Sequence, residues 1–251
     1  MTHEQSGYAF RFDWGLDGLR SLAPHADVVV VVDVLRFTSA VSAAVEGGST
    51  VLPYPWARDE AGQFAAQRNA VLAGMREDGG PSLSPTDLLT MPAGTRLVLP
   101  SPNGAALAFA ARDLGARSVL AGCLRNATAT ARRAVRLIDR LGVIAVIAAG
   151  ERWGTSEGPL RPSLEDMLGA GAILAALDPS AAVAAPRCSP EALAARAAFL
   201  HSRSRLFETL AGSGSGRELI ERGWEDDVAA SAAHDVTDFA AELVDGQFVS
   251  V

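Results

Sequence analysis

Within six residues the chain places a carboxylate, a guanidinium and a hydroxyl, at Asp33, Arg36 and Thr38. A carboxylate is a hard ligand for a divalent cation, and an arginine fork three residues on can hold an anion beside it. Ser101, Asn103 and Gly104 in S-P-N-G, and Gly122, Arg125 and Asn126 in G-C-L-R-N, supply neutral donors, a charge and close backbone approach, the components of a phosphate cradle. Glu151 is a candidate general base, and the adjacent Glu165 and Asp166 could complete an octahedral Mg²⁺ shell with Asp33. Each residue also has a simpler reading. Asp33 and Asn126 can cap helices, Asn103-Gly104 can be a turn, and Glu165 and Asp166 can complement a helix dipole. The two sets of readings stand side by side at this level.

Other chemistries are excluded by spacing. Cys123 invites a nucleophile, but a cysteine phosphatase sets its arginine several residues further on to wrap the phosphate, and Arg125 is only two residues away. A small buried thiol is the better reading. A haloacid-dehalogenase-type phosphatase needs a second aspartate two residues after the first, where this chain has Leu35. His25, His201 and His234 lack ligand spacing, which argues against zinc. All 22 basic residues are arginine, so Schiff-base chemistry and a P-loop lysine are both removed.

The elements that must position these groups follow from the apolar pattern. Five consecutive valines, Val28 to Val32, cannot alternate between wet and dry faces and predict a strand buried on both sides of an α/β sheet. Asp33 leaves that strand at the edge where open α/β sheets bind ligands. A helix from Thr38 to Glu46 would turn its positive end to the same spot, so the site is expected to receive an anion. Strands at Thr95 to Pro100, Ser118 to Ala121 and Val143 to Ala149 end in similar Gly-containing polar junctions, and the four junctions are expected to meet. Tyr8 to Phe12 reads as a strand with one solvated face, and Ser49 to Pro55 as an edge-like strand. Helices are expected at Ala57 to Met75, from Asn126 to Leu141, from Ser163 (with a capping box to Asp166) to Leu177, and at Pro190 to Ala211. Arg76 to Gly94 reads as a long lid-like loop, Glu151 to Pro162 as a second irregular loop, and Gly212 to Gly216 as a flexible break. Two helical pieces to about Leu243 and an edge strand at Gln247 to Val251 complete the chain, read as one domain.

Composition narrows the partner. A net charge of −7 and a pI near 5.1 exclude the basic footprint that nucleic acid or an acidic membrane surface requires. With 49% hydrophobic residues, two cysteines and no leader-like N-terminus, the expectation is a cytoplasmic protein for a small anionic, phosphorylated substrate, with homo-oligomerisation left open. A protein that only binds such a metabolite is the competing class.

Taken together, V-V-V-D-V-L-R-F-T-S-A, S-P-N-G-A, V-L-A-G-C-L-R-N-A-T-A, A-A-G-E and S-L-E-D-M-L-G-A-G-A-I resemble, in order, the 2-phosphosulfolactate phosphatase family, the ComB-type enzymes of coenzyme M and sulfolactate metabolism. S-G-S-G-R-E-L-I-E-R-G-W-E-D-D-V matches more loosely. The resemblance implies a three-layer α/β/α unit with a central mixed, largely parallel sheet, and Mg²⁺-dependent hydrolysis of a phosphate ester on a small sulfonated hydroxy acid. It also implies that Asp33, Arg36, Asn103, Asn126, Glu151, Glu165 and Asp166 line the site. Such a substrate carries several negative groups, and Arg36, Arg125, Arg152 and Arg161 are the arginines at or after strand ends that could clamp them.

Overall fold

A computed structural model describes residues 2–55, 58–154, 158–180 and 187–251. Its strands are β1 (Phe10–Trp14), β2 (Val28–Val32), β3 (Thr50–Tyr54), β4 (Val71–Leu72), β5 (Arg96–Pro100), β6 (Ser118–Gly122), β7 (Ile144–Ala148), β8 (Glu151–Arg152), β9 (Leu160–Arg161), β10 (Ala241–Val244) and β11 (Gln247–Ser250). The helices are α1 (Gly15–Leu22), α2 (Phe37–Glu46), α3 (Arg58–Ala66), α4 (Pro85–Leu89), α5 (Gly104–Asp113), α6 (Ala127–Arg136), α7 (Leu164–Leu177), α8 (Pro190–Ser202), α9 (Leu206–Ala211), α10 (Gly214–Glu221) and α11 (Glu225–Ala232). Among the described residues nine strands form one sheet, ordered β1-β7-β2-β6-β10-β11-β3-β5-β4, and β8 with β9 makes a small ribbon. The sheet is mixed, mostly parallel and covered by helices, as a three-layer α/β/α architecture requires.

The valine strand β2 sits inside this sheet, parallel to β7 on one side and β6 on the other. Its residues alternate between two cores. Val28, Val30 and Val32 pack with residues of α6, α7 and α8, whereas Val29 and Val31 pack with residues of α1, α2 and α5. Full burial of one valine contributes roughly 1.5–3 kcal/mol, so a run of five is stable only with helices on both faces. Close approach of α7 depends on its glycines. A Cβ on Gly169 would stand 2.5 Å from Val34 Cγ2, and one on Gly171 would stand 2.1 Å from the Ala195 carbonyl oxygen on α8.

The pairings also set the direction of the two halves. β1, β7, β2 and β6 run parallel, while each step through β10 and β11 to β3 is antiparallel, so β3, β5 and β4 run the other way. At 20–25° of twist per strand, the five steps from β2 to β5 rotate the axes by roughly 100–125°. Opposed directions therefore become crossing ones. The C-terminal ends of β2 and β5 come together, as a 2.9 Å hydrogen bond from Gly104 N–H to Asp33 Oδ2 records.

Several expected elements differ. Arg11 of β1 is buried, donating to the carbonyls of Tyr8 and Glu4, so the expected solvated face is closed. β3 is interior rather than edge-like. Pro53 is tolerated there because β11 pairs β3 only at Val51, and Pro53 lies on that side with no ladder partner to donate to. The helix expected to Met75 stops at Ala66, and Val71–Leu72 adds the edge strand β4; Ala57 lies outside the described residues. The lid-like loop contains a 3₁₀ turn at Arg76–Asp78 and α4, and it is pinned by Ser82, Ser84 and Leu88, all buried. The second loop begins and ends in the β8–β9 ribbon, with 155–157 outside the described residues. α6 ends at Arg136, and a 3₁₀ turn separates α8 from α9. The glycine-rich break starts a helix instead: Ser213 Oγ accepts from Gly216 N–H at 3.0 Å and caps α10. Ala241–Val244 is strand rather than helix, and β11 lies between β10 and β3 rather than at an edge.

Candidate active site

Asp33 is 6% exposed and held by two helix starts: Oδ1 accepts from Phe37 N–H at 3.2 Å and Oδ2 from Gly104 N–H. The capping reading and the functional one are thus compatible, since amide bonds leave an ionised carboxylate further lone pairs. Burial pushes its proton affinity up, the two amides pull it down, and Glu151 and Glu165 push it up again, to a pKa of about 6. Asp166 is raised well above its ordinary value by burial and by the charges of Asp33 and Glu165.

The N-terminus of α7 departs from the predicted capping box. Ser163 occupies the cap position without a side-chain hydrogen bond. Asp166 instead reaches two strand ends, accepting from Val34 N–H at 2.7 Å and Gly150 N–H at 2.9 Å. Glu165 is 3% exposed, and its Oε2 is buried without a hydrogen-bond partner among the described residues. Glu151 completes the group, with Oε1 accepting from Asn103 Nδ2 at 3.1 Å and from Arg152 N–H at 3.0 Å. The ends of β2 and β7 and the start of α7 therefore bring four carboxylates together, with Asp33 repelled by Glu151 and Glu165, and Asp166 by Asp33 and Glu165. Among the described residues no three His, Cys, Asp or Glu side chains converge as a closed metal-ion cage. An orphaned carboxylate oxygen amid repelling carboxylates still suits a hard cation that takes one or two protein ligands and fills its shell with water and phosphate oxygens, as Mg²⁺ does.

The fourth junction turns inward. Asn126, fully buried, accepts from Cys123 N–H at 2.9 Å and donates to the Ala121 carbonyl at 3.2 Å, so both ends of its amide are used in its own turn. Gly122 serves packing: a Cβ there would meet Ile173 at 2.6 Å and Val30 at 2.8 Å. Arg125 is 4% exposed and bound to Glu46 at 2.7 Å and the Ala230 carbonyl at 3.1 Å. Thr38 closes on the Asp33 backbone, accepting from its N–H at 3.0 Å and donating to its carbonyl at 2.8 Å. Ser101 is buried and accepts from Asn103 N–H at 3.3 Å. Thr38, Arg125 and Asn126, expected at the substrate, thus make internal hydrogen bonds, and Gly122 packs against the core. Cys123 is fully buried, and burial pushes its thiol up, as a structural cysteine requires.

Among the arginines, Arg152 donates to the Gly158 carbonyl at 3.2 Å, and Arg161 donates to Ser215 Oγ at 3.1 Å. Arg36 follows the cis peptide bond Leu35–Arg36 and faces a cavity. Its Nη1 donates to Asp227 Oδ2 at 2.7 Å, and its guanidinium lies 4.6 Å from the Trp224 ring centroid. Asp227 is fully buried and also receives Arg76 Nη1 at 2.9 Å, Thr86 Oγ1 at 2.9 Å and Ser84 Oγ. Sequence reasoning missed Arg76, Trp224 and Asp227. The signal was the W-E-D-D run, whose three acids exceed what one helix start needs.

No helix among the described residues is long and apolar enough to cross a membrane. The chain matches the model of the family described as 2-phosphosulpholactate phosphatase over residues 19–246. A protein of Thermus thermophilus named "Probable 2-phosphosulfolactate phosphatase" is 34% identical over 157 residues, which is 59% of this chain and 61% of that protein. A Gloeobacter violaceus protein of the same name is 31% identical over 219 residues, 83% of this chain and 85% of that one. The family match takes in all four strand ends, the start of α7 and the Trp224–Asp227 segment, and the chain belongs to the 2-phosphosulpholactate phosphatase family.

Proposed function

We propose that this protein is a Mg²⁺-dependent phosphatase that hydrolyses 2-phospho-3-sulfolactate, or a closely related phosphorylated hydroxy acid, to sulfolactate and inorganic phosphate. The observation that carries the reading is the buried group of Asp33, Glu165 and Asp166, with the unpartnered Glu165 oxygen inside it. Uncompensated carboxylates at that density call for a cation. Asp33, Glu165 and Asp166 would hold it, one or two directly and the rest through water. When bound, Mg²⁺ supplies charge for the phosphoryl oxygens and a more acidic water.

The chain's own residues do the remainder. Asn103 fixes Glu151 through Oε1, which leaves Oε2 to take a proton from the attacking water. Arg36 offers a positive edge three residues from Asp33 and orients the anion. A cysteinyl-phosphate route is disfavoured because Cys123 is fully buried. Direct attack by water supplies the simpler path.

Phosphate release from 2-phospho-3-sulfolactate is the test. Release should require Mg²⁺, fall to background in EDTA and return when Mg²⁺ is restored. Undiminished release in EDTA ends the metal reading, and tight binding without release favours a non-catalytic binding protein.

A further inference from the structure

A cavity of about 160 Å³ is lined by Arg36, three residues after Asp33, and by Pro100, four residues before Gly104. Three guanidinium groups surround one indole in its wall: Arg36, Arg222 and Arg76 lie 4.6, 5.5 and 5.8 Å from the Trp224 ring centroid. Leu83, Leu99 and Pro100 make an apolar side. The arginines are not equivalent. Arg76 spends both Nη atoms on Asp226, Asp227 and Thr86. Arg36 commits only Nη1, so its Nε and Nη2 have no protein partner among the described residues and remain for a ligand. Arg222 is half-exposed; besides the Trp224 ring, its one charged partner among the described residues is the exposed Glu218 at 2.6 Å, a partner it can exchange.

We propose that this cavity binds the second oxyanion of the substrate, a sulfonate or carboxylate on the carbon next to the phosphate ester, with Arg36 and Arg222 as ligands and Asp227 as the residue that positions Arg36. The inference rests on the phosphatase reading and deepens it. Two segments join the cavity to the carboxylates: Asp33 to Arg36, and Pro100 to Gly104. The Cα atoms of Asp33 and Arg36 can be no more than about 11 Å apart, which two side chains and a three-carbon acid span. A fork with Nε and Nη2 open offers two parallel donors to one oxyanion. The apolar side accommodates the carbon chain, and Trp224 holds the guanidinium planes by cation–π contact. Asp227, buried between Arg36 and Arg76, takes the cost of bringing two cations together and keeps both against the ring.

Calorimetric titration in Mg²⁺ buffer with 3-sulfolactate, lactate and inorganic phosphate tests this in the wild type, Arg222→Gln and Asp227→Asn. Loss of one charged hydrogen bond should weaken 3-sulfolactate about tenfold in Arg222→Gln, and weaken inorganic phosphate several-fold less. Asp227→Asn should show the same bias, with KM rising more than kcat falls. If it fails to fold, the exposed Arg222 decides alone. Lactate matching 3-sulfolactate assigns the cavity to the carboxylate, and weak lactate binding assigns it to the sulfonate. Equal losses for phosphate and 3-sulfolactate, or no loss in Arg222→Gln, overturn the proposal. The two readings fail separately. Arg222-dependent 3-sulfolactate binding without phosphate release removes the phosphatase and keeps the subsite, whereas Mg²⁺-dependent release with KM unmoved in Arg222→Gln removes the subsite alone.

Discussion

Asp33 gathers opposing influences, and their balance makes stability depend on pH. Its pKa in the folded protein is about 6, raised mainly by burial, against an ordinary 3.8. Between those values the folded state binds the proton that the unfolded chain releases. Stability is therefore greatest at the acid side of this window and falls as pH rises through it, by on the order of 3 kcal/mol for the site alone. In metal-free protein, Asp33→Asn should flatten this slope, read as thermal midpoints at about pH 5 and about pH 7.5. Mg²⁺ should raise the wild-type midpoint more at the higher pH, where the carboxylates are charged. A variant with the wild-type slope and the wild-type Mg²⁺ response would take Asp33 out of the cluster.

At the level of elements, α7 is the part that aligns the site. Its first turn carries Glu165 and Asp166, and Asp166 fastens it to the ends of β2 and β7. Further along, Gly171 lets it lie against α8 with no room for a methyl group. Gly171→Ala must push the two helices apart, at a cost of about 1–3 kcal/mol despite the better helix propensity of alanine. A urea denaturation midpoint at or above the wild-type value would show that the helices can part freely.

The whole molecule is two parallel half-sheets of opposite direction, closed by the β10–β11 hairpin. Phe248 sits in that seam, fully buried, 6.3 Å from the Phe37 ring at the start of α2. Phe248→Ala should cost roughly 3–5 kcal/mol and lower the stability of both halves together, because neither half has another way to cover its inner edge. Hydrogen exchange across β6 and β3 measures it. Accelerated exchange in β3 with β6 unaffected would mean that the halves are stabilised independently.

What the sequence determined by itself was the pattern of burial and the places where it stops. A run of valines has no wet face, so β2 had to be interior, and Asp33, Asn103 and Glu151 had to lie where strands end. Glu165 and Asp166 open the long helix after the last of these strands, where sequence alone left a metal site and a complement to the helix dipole as equal readings. Only the tertiary structure decided which polar side chains at those ends face the cleft. Thr38 and Asn126 found nearer partners in their own backbone, and Arg125 found Glu46. Asp227 reached Arg36 from 191 residues away. The order of the strands was equally hidden, because a hairpin from the end of the chain enters the middle of the sheet and sends the second half the other way. Local sequence controls burial and backbone preference within a few residues, whereas the partner of a buried charge is chosen by whichever distant group the packing brings within about 3 Å.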